Sequence, residues 1–248
     1  MEYKWKALVL ISFASFLFPF EASMVTVSLP SISSDLGGGF SAVLWIPMAL
    51  LLTTALLLIP TGRMGDLWGK RKIFNLGFVI FFIGTLLAGI SPNIAFLIAS
   101  MLLLGIGVAM LGSQGIAIVT DIFPSHRRGE ALGITVAGTY LGLTLGPFIG
   151  GYMVSLFGWR SIFLSLAPLT LIAGIASFLL IRETRKVSGV PFDLPGFILF
   201  SLFLVPFLLF LSTMRREGDP NISPVLPLIS TVSLIAFIFL EMRQSNPM

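Results

Sequence analysis

Eight apolar runs dominate this 248-residue chain, at about 7–29, 42–61, 73–90, 95–119, 131–154, 161–181, 195–212 and 225–241. A helix needs roughly 20 residues to cross the hydrocarbon core of a bilayer, and these runs meet or approach that length. With 56% hydrophobic and only 10% charged residues, the chain has too little polarity to shield them from water, so the sequence describes a membrane protein. The runs are too long and too uniformly apolar for the alternating, roughly ten-residue strands of an outer-membrane barrel, which makes helices the expected spans. The first run lacks a small-residue cleavage site and is followed by seven others, so it reads as a span and not a signal peptide. Cysteine is absent, which excludes disulfides and thiolate metal sites.

The formal charge of +4 does not point to nucleic acid, because the cations are sorted by side. Lys4, Lys6, Arg63, Lys70, Arg71, Lys72, Arg127, Arg128, Arg182, Arg185, Lys186 and Arg243 flank the ends and even-numbered connections, against Arg160, Arg215 and Arg216 on the other side. Positive loops stay inside, so both termini are expected in the cytoplasm and the protein in the cell (inner) membrane. Trp5, Trp45, Trp68 and Trp159 fall at span ends, as expected of interfacial aromatics.

An internal repeat narrows the architecture. "GRMGDLWGKRKIF" (62–74) and "GYMVSLFGWRSIF" (151–163) align without gaps and agree at seven of thirteen positions, Arg71 over Arg160 among them. The first joins spans two and three and the second joins spans five and six, on opposite sides of the membrane. Spans 1–3 and 4–6 therefore read as inverted-topology repeats, an arrangement of transporters.

At these residues the chain resembles a known family. "GRMGDLWGKRK" is similar to the loop signature of the major facilitator superfamily, and "GLTLGPFIGG" (142–151) to the glycine-proline motif of its antiporter branches. "VSLPSISSDL", "DIFPSHRRGEALG", "GWRSIF" and "FDLPG" resemble the fourteen-helix drug:proton antiporter subfamily. The resemblance implies an all-α membrane protein. Residues 1–190 would form the N-terminal six-helix transporter bundle of two inverted three-helix repeats, and 191–248 two additional transmembrane linker helices and a cytoplasmic tail. It implies a proton-coupled multidrug or small-molecule exporter working by alternating access, with a small hydrophobic or cationic substrate, protons and the bilayer as partners. The chain stops where that family's C-terminal domain begins, so it is expected to be half of the machine, needing a C-terminal half or a second copy. The alternative is a non-transporting half-length subunit or fragment that binds a partner membrane protein. No enzyme signature, cofactor motif or metal-ligand cluster is present; the G-x-G at Gly105–Gly107 lies inside a span, and His126 beside two arginines reads as solvated.

Three constellations carry the expected chemistry. Of the eleven acids, only Glu21 lies well within a span. An ionised carboxylate there costs a few kcal/mol on insertion scales, so Glu21 should face the bundle interior, where it suits proton coupling; the family places an acid, usually aspartate, at this point. The bland alternatives are a side chain reaching the outer interface or a polar bridge between helices. Met24, Val25 and Ser28 beside it, and Gln114 on the fourth span, are expected to line a substrate cavity among helices 1, 2, 4 and 5. With one bundle only, the polar face around Glu21 is expected to meet lipid unless another chain covers it. Next, Gly62, Asp66, Gly69, Lys70 and Arg71 are expected to form a cytoplasmic loop latch with Asp121 and Arg128, unless the cations only enforce topology and touch lipid phosphates. Finally, Gly138, Gly142, Gly146 and Gly150, with Pro147 and Gly151, form a stripe for close helix packing, which the resemblance implies seals the cavity against leak. The chain departs from the family where Met101 and Leu104 replace the usual arginine and glutamine of the fourth helix, and where Leu50 replaces a common tyrosine.

Overall fold

The computed structural model of the protein describes residues 2–37, 39–183, 194–213 and 225–243. The charged residues Arg185, Lys186, Asp193, Arg215, Arg216, Glu217 and Asp219 lie outside them. Among the described residues there are eight α-helices, one 3-10 turn at Ser125–Arg127 and no strand. The helices are α1 Tyr3–Leu36, α2 Phe40–Trp68, α3 Lys70–Gly89, α4 Ile94–Ile122, α5 Arg128–Phe157, α6 Arg160–Leu180, α7 Leu194–Thr213 and α8 Val225–Arg243. The chain divides into two compact units, Met1–Lys186 and Val187–Met248.

In the first unit α1 to α6 are all long and apolar enough to cross a membrane. Their ends are set by residues that release backbone constraint. Gly37 ends α1 at φ 68°, Gly69 separates α2 from α3 at φ 111°, and Gly158 separates α5 from α6 at φ 76°; only glycine takes such dihedrals without strain. Asn93 caps α4 by accepting the Phe96 amide at 2.8 Å. The core is a continuous apolar cluster with Phe74, Phe78, Phe81 and Phe163 fully buried at its centre. α1 packs mainly on α5, and α4 packs on α2 and α3. The pairing of α1 with α5 and of α4 with α2 is the reciprocal pattern that two inverted three-helix repeats produce.

In the second unit α7 and α8 pack on each other, with Phe200 and Phe237 rings 5.8 Å apart. Their described apolar stretches, Pro195–Phe210 and Val225–Leu240, are shorter than the six spans of the first unit.

Candidate functional site

Glu21 sits in the middle of α1, 1% exposed. Its two carboxyl oxygens share the hydroxyl of Thr85 on α3, which donates to each at 3.2 Å. No ion pair among the described residues includes it. A single neutral hydroxyl is little compensation for a bare charge at such a site. The acid therefore faces the bundle interior, towards α3, a helix outside the four expected to frame a cavity. α3 covers the carboxyl within the bundle, so no second chain is needed to keep it from lipid, contrary to the sequence expectation.

The other expected cavity residues are packed in this structure. Met24 and Val25 belong to the apolar core, and Ser28 turns its hydroxyl onto the Val25 carbonyl of its own helix at 2.7 Å. Gln114 is fully buried and joins α4 to α2: its amide nitrogen donates to the Thr61 carbonyl at 2.6 Å and to Ser113 at 3.1 Å. Its amide oxygen has no hydrogen-bond partner among the described residues and lies against Gly65. Met101, Leu104 and Leu50, at the departures from the family pattern, are all core residues; apolar packing occupies the places where polar groups are usual.

The glycine stripe has a definite partner. A Cβ added at Gly138 would sit 2.7 Å from the Ser12 carbonyl oxygen, at Gly142 2.5 Å from that of Phe16, at Gly146 2.8 Å from that of Phe20, and at Gly150 2.9 Å from the Met24 Cα. Both helices advance by four residues per contact, so two parallel helices run backbone to backbone in one register. Ser23 Oγ adds a bond to the Gly142 carbonyl at 3.4 Å. Gly151 is outside the tight seam, with Val27 at 3.8 Å, and Pro147 lies within α5 between the contacts. Gly142→Val is expected to destabilise the bundle by at least the roughly 1–3 kcal/mol typical of overpacking, because the obstacle is backbone. Gly133→Val, where a Cβ meets nothing within 4 Å, is the neutral control; thermal unfolding in detergent reads the difference.

The basic-loop end forms a clamp. Lys70 Nζ reaches Asp121 at the end of α4 at 2.8 Å and Asp66 at 3.6 Å. Arg71 donates from its guanidinium to the Phe178 carbonyl of α6 at 2.8 Å. Its backbone N–H meets the carboxylate of Glu183 at 3.3 Å, which caps a helix whose own N-cap, Gly69, has no side chain. Gly62 lies near Ser113, with room for a Cβ at 3.8 Å. Arg128, expected in the latch, instead donates to the Phe123 carbonyl at 3.2 Å; it satisfies the carbonyl of the α4 C-cap residue, and no ion pair among the described residues includes it. Gly69→Ala is expected to cost roughly 1–3 kcal/mol of backbone strain, since φ is 111° and the added Cβ also meets Glu183 at 2.5 Å. Chemical denaturation of the purified chain measures it.

The opposite end carries a counterpart. Trp159 Nε1 donates to Asp35 at 3.0 Å, Arg160 donates to Asp35 at 2.6 Å, and the Arg160 guanidinium also reaches the Ser91 carbonyl at 3.0 Å. Lys70 and Arg71 thus align with Trp159 and Arg160 not only in sequence but in partners: an acid ending α4 or α1, and a carbonyl at the end of α6 or just past α3. Trp159 is consequently 2% exposed, a buried donor and not the interfacial aromatic its position suggested.

The model of the Major Facilitator Superfamily matches residues 11–242. The chain belongs to this superfamily. It is 31% identical over 245 residues to the riboflavin transporter RibZ of Clostridioides difficile, covering 98% of this chain and 52% of that protein. To a puromycin resistance protein of Streptomyces alboniger it is 31% identical over 247 residues, covering 99% and 49%. The chain spans about half the length of these curated relatives. The crystal structure of a bacterial homolog of the human lysosomal transporter Spinster, inward-facing and unoccupied, superposes with a TM-score of 0.62 at 19% identity over 99% of this chain and 64% of that one, a likeness of fold. The chain is accordingly a multi-pass membrane protein of the major facilitator superfamily.

Two site groups of this major-facilitator bundle escaped the sequence reading. Thr85 was an unremarked hydroxyl in an apolar span, and Glu183 was one more acid near a span end. The signal for the Asp35 clamp was present: the repeat aligned Arg71 with Arg160, and the partners of one predict the partners of the other.

Proposed function

We propose that the chain forms the N-terminal six-helix bundle, residues 1–190, and the two linker helices, 191–248, of a proton-coupled exporter of the fourteen-helix drug:proton antiporter kind. Both termini are cytoplasmic in the inner membrane, following the basic loops. The bundle is one half of the working transporter and operates against a C-terminal half, or a second copy, by alternating access. The substrate is a small hydrophobic or cationic molecule, in keeping with a relative named for resistance to puromycin, an amine. The observation that carries the reading is Glu21, a carboxyl at mid-span whose described hydrogen-bond partner is one neutral hydroxyl. A group so placed gains from binding a proton and gives it up when the helices around it part and water enters. Proton exchange and substrate binding compete through that rearrangement of α1 and α3. The test is stoichiometric: with a complete transporter in liposomes carrying an internal pH indicator, substrate movement drives proton movement the opposite way. Substrate flux without a lumenal pH change refutes coupling.

A second reading has its own support. The Thr85 contact joins α1 to α3, and a carboxyl used purely as an interhelical bridge would make the same bond. Substitutions that keep the bridge and remove the titration separate the two.

A further inference from the structure

We propose that the cleft between the basic-loop ends of α3 and α6 binds one anionic phospholipid from the leaflet on that side. The cleft has a volume of about 380 Å³ and is lined by Arg71, Lys72, Asn75, Leu76, Val79, Phe178 and Glu183. Its lining is graded along α3. Arg71 and Lys72 stand at the helix start, Asn75 one turn deeper, then Leu76 and Val79, with Phe178 on the facing helix. At 1.5 Å per residue the cations and Asn75 are about 4.5–6 Å apart along the axis, and Val79 lies about 6 Å beyond. A glycerophospholipid presents its groups in the same order: a phosphodiester, ester carbonyls, then acyl chain.

Each level has a group available. Lys72 is exposed, and no ion pair among the described residues includes it. Arg71 spends one guanidinium nitrogen on the Phe178 carbonyl. Asn75 is only 5% exposed; its amide oxygen accepts from Ser177 on α6 at 2.5 Å, which leaves its N–H groups as donors for an ester carbonyl of the guest. Leu76, Val79 and Phe178 are substantially exposed on helices that span the membrane. The acid of the cleft, Glu183, is engaged by the Arg71 amide at 3.3 Å. Two cations against one carboxylate leave a single positive charge, which matches one phosphodiester. A zwitterionic lipid would bring its own cation to Arg71 and Lys72, whereas a soluble phosphate would leave the apolar floor uncovered.

The experiment uses the purified chain, equilibrated with phosphatidylglycerol and phosphatidylcholine of identical acyl chains and examined by native mass spectrometry. One phosphatidylglycerol should be retained in preference to phosphatidylcholine. Lys72→Gln should reduce that preference about fivefold, the factor expected for one basic residue facing an anionic lipid surface. Val79→Trp, which fills the cleft without changing charge, should also remove the retained lipid. Equal retention of the two lipids overturns the proposal, as does a preference that survives both substitutions. Loss in Lys72→Gln but not in Val79→Trp also overturns it, since that pattern describes surface electrostatics without a cleft. Displacement of the lipid by millimolar glycerol phosphate or inorganic phosphate overturns it in favour of a soluble anion.

Discussion

Glu21→Gln, introduced into a transporter with both halves, is expected to abolish export driven by a pH gradient while the protein still inserts and folds. Glutamine has nearly the shape of a protonated glutamic acid, and its amide oxygen can accept the Thr85 hydroxyl bond that the carboxyl oxygens now share at 3.2 Å. The substitution therefore keeps the α1–α3 bridge and removes only the exchangeable proton. The measurement is substrate accumulation in inverted vesicles with and without an imposed pH gradient, alongside substrate exchange at equal pH. Loss of the driven flux with retained exchange is the signature of a coupling group. Thr85→Val supplies the converse: it removes the bridge and keeps the titratable carboxyl. If Glu21→Gln exports normally under a gradient while Thr85→Val lowers thermal stability, the carboxyl is a structural bridge and the coupling assignment fails. Glu21→Asp sharpens the comparison, because the shorter side chain retains a proton site but pulls it about one methylene away from α3.

Legibility in the sequence followed the range of the interaction. Span existence and the inverted repeat depend on apolar length, charge sidedness and short motifs, all of them local; the first six spans are present as helices long enough to cross a membrane and pack in reciprocal pairs, while the described apolar stretches of α7 and α8 are shorter. The glycine spacing on α5 announced a close contact but not its partner. Only the structure supplies Ser12, Phe16, Phe20 and Met24 of α1, because a period of four specifies a stripe on one helix and says nothing of the helix that fills it. Glu21 was visible as the lone mid-span acid, and its inward direction followed from the cost of exposing it to lipid; the helix it meets was not visible. A helix of mean apolarity as uniform as α1 has no polar face to orient it, and whether residue 21 looks into a substrate path or towards α3 depends on the rotation set by the α1–α5 seam. Arg128 was misread for a related reason. Cations and acids at one membrane face can pair in many combinations, and a backbone carbonyl such as that of Phe123 competes equally well but leaves no trace in the side-chain sequence. Trp159 was misread because Asp35, 124 residues away, takes its indole N–H out of the interface.

The 248 residues reconstituted alone are expected to insert and fold but to show no net substrate flux under a pH gradient. In this superfamily alternating access comes from one six-helix bundle rocking against another around a site between them, and α1 to α6 supply one bundle. Within it the buried polar groups are turned inward: Thr61 onto the Ala109 carbonyl, Gln114 onto Thr61, Asn75 onto Ser177, Glu21 onto Thr85. None of these contacts frames a passage from one side to the other. What the bundle presents outward is apolar, with Tyr140, Phe148 and Tyr152 of α5 and Leu51 of α2 all more than half exposed, surfaces that lipid or a second bundle can cover. A transport path needs the second wall. Proteoliposomes containing only this chain, loaded with a pH indicator and offered a fluorescent cationic substrate, should match empty liposomes in both substrate uptake and proton leak. Adding a C-terminal half from a full-length relative should restore uptake that disappears again with Glu21→Gln. Substrate-dependent flux from the chain alone, accompanied by crosslinked pairs through α2 or α5, would replace the two-half machine with a homodimer in which both copies of Glu21 take part. Flux without paired chains would contradict the requirement for a second bundle altogether.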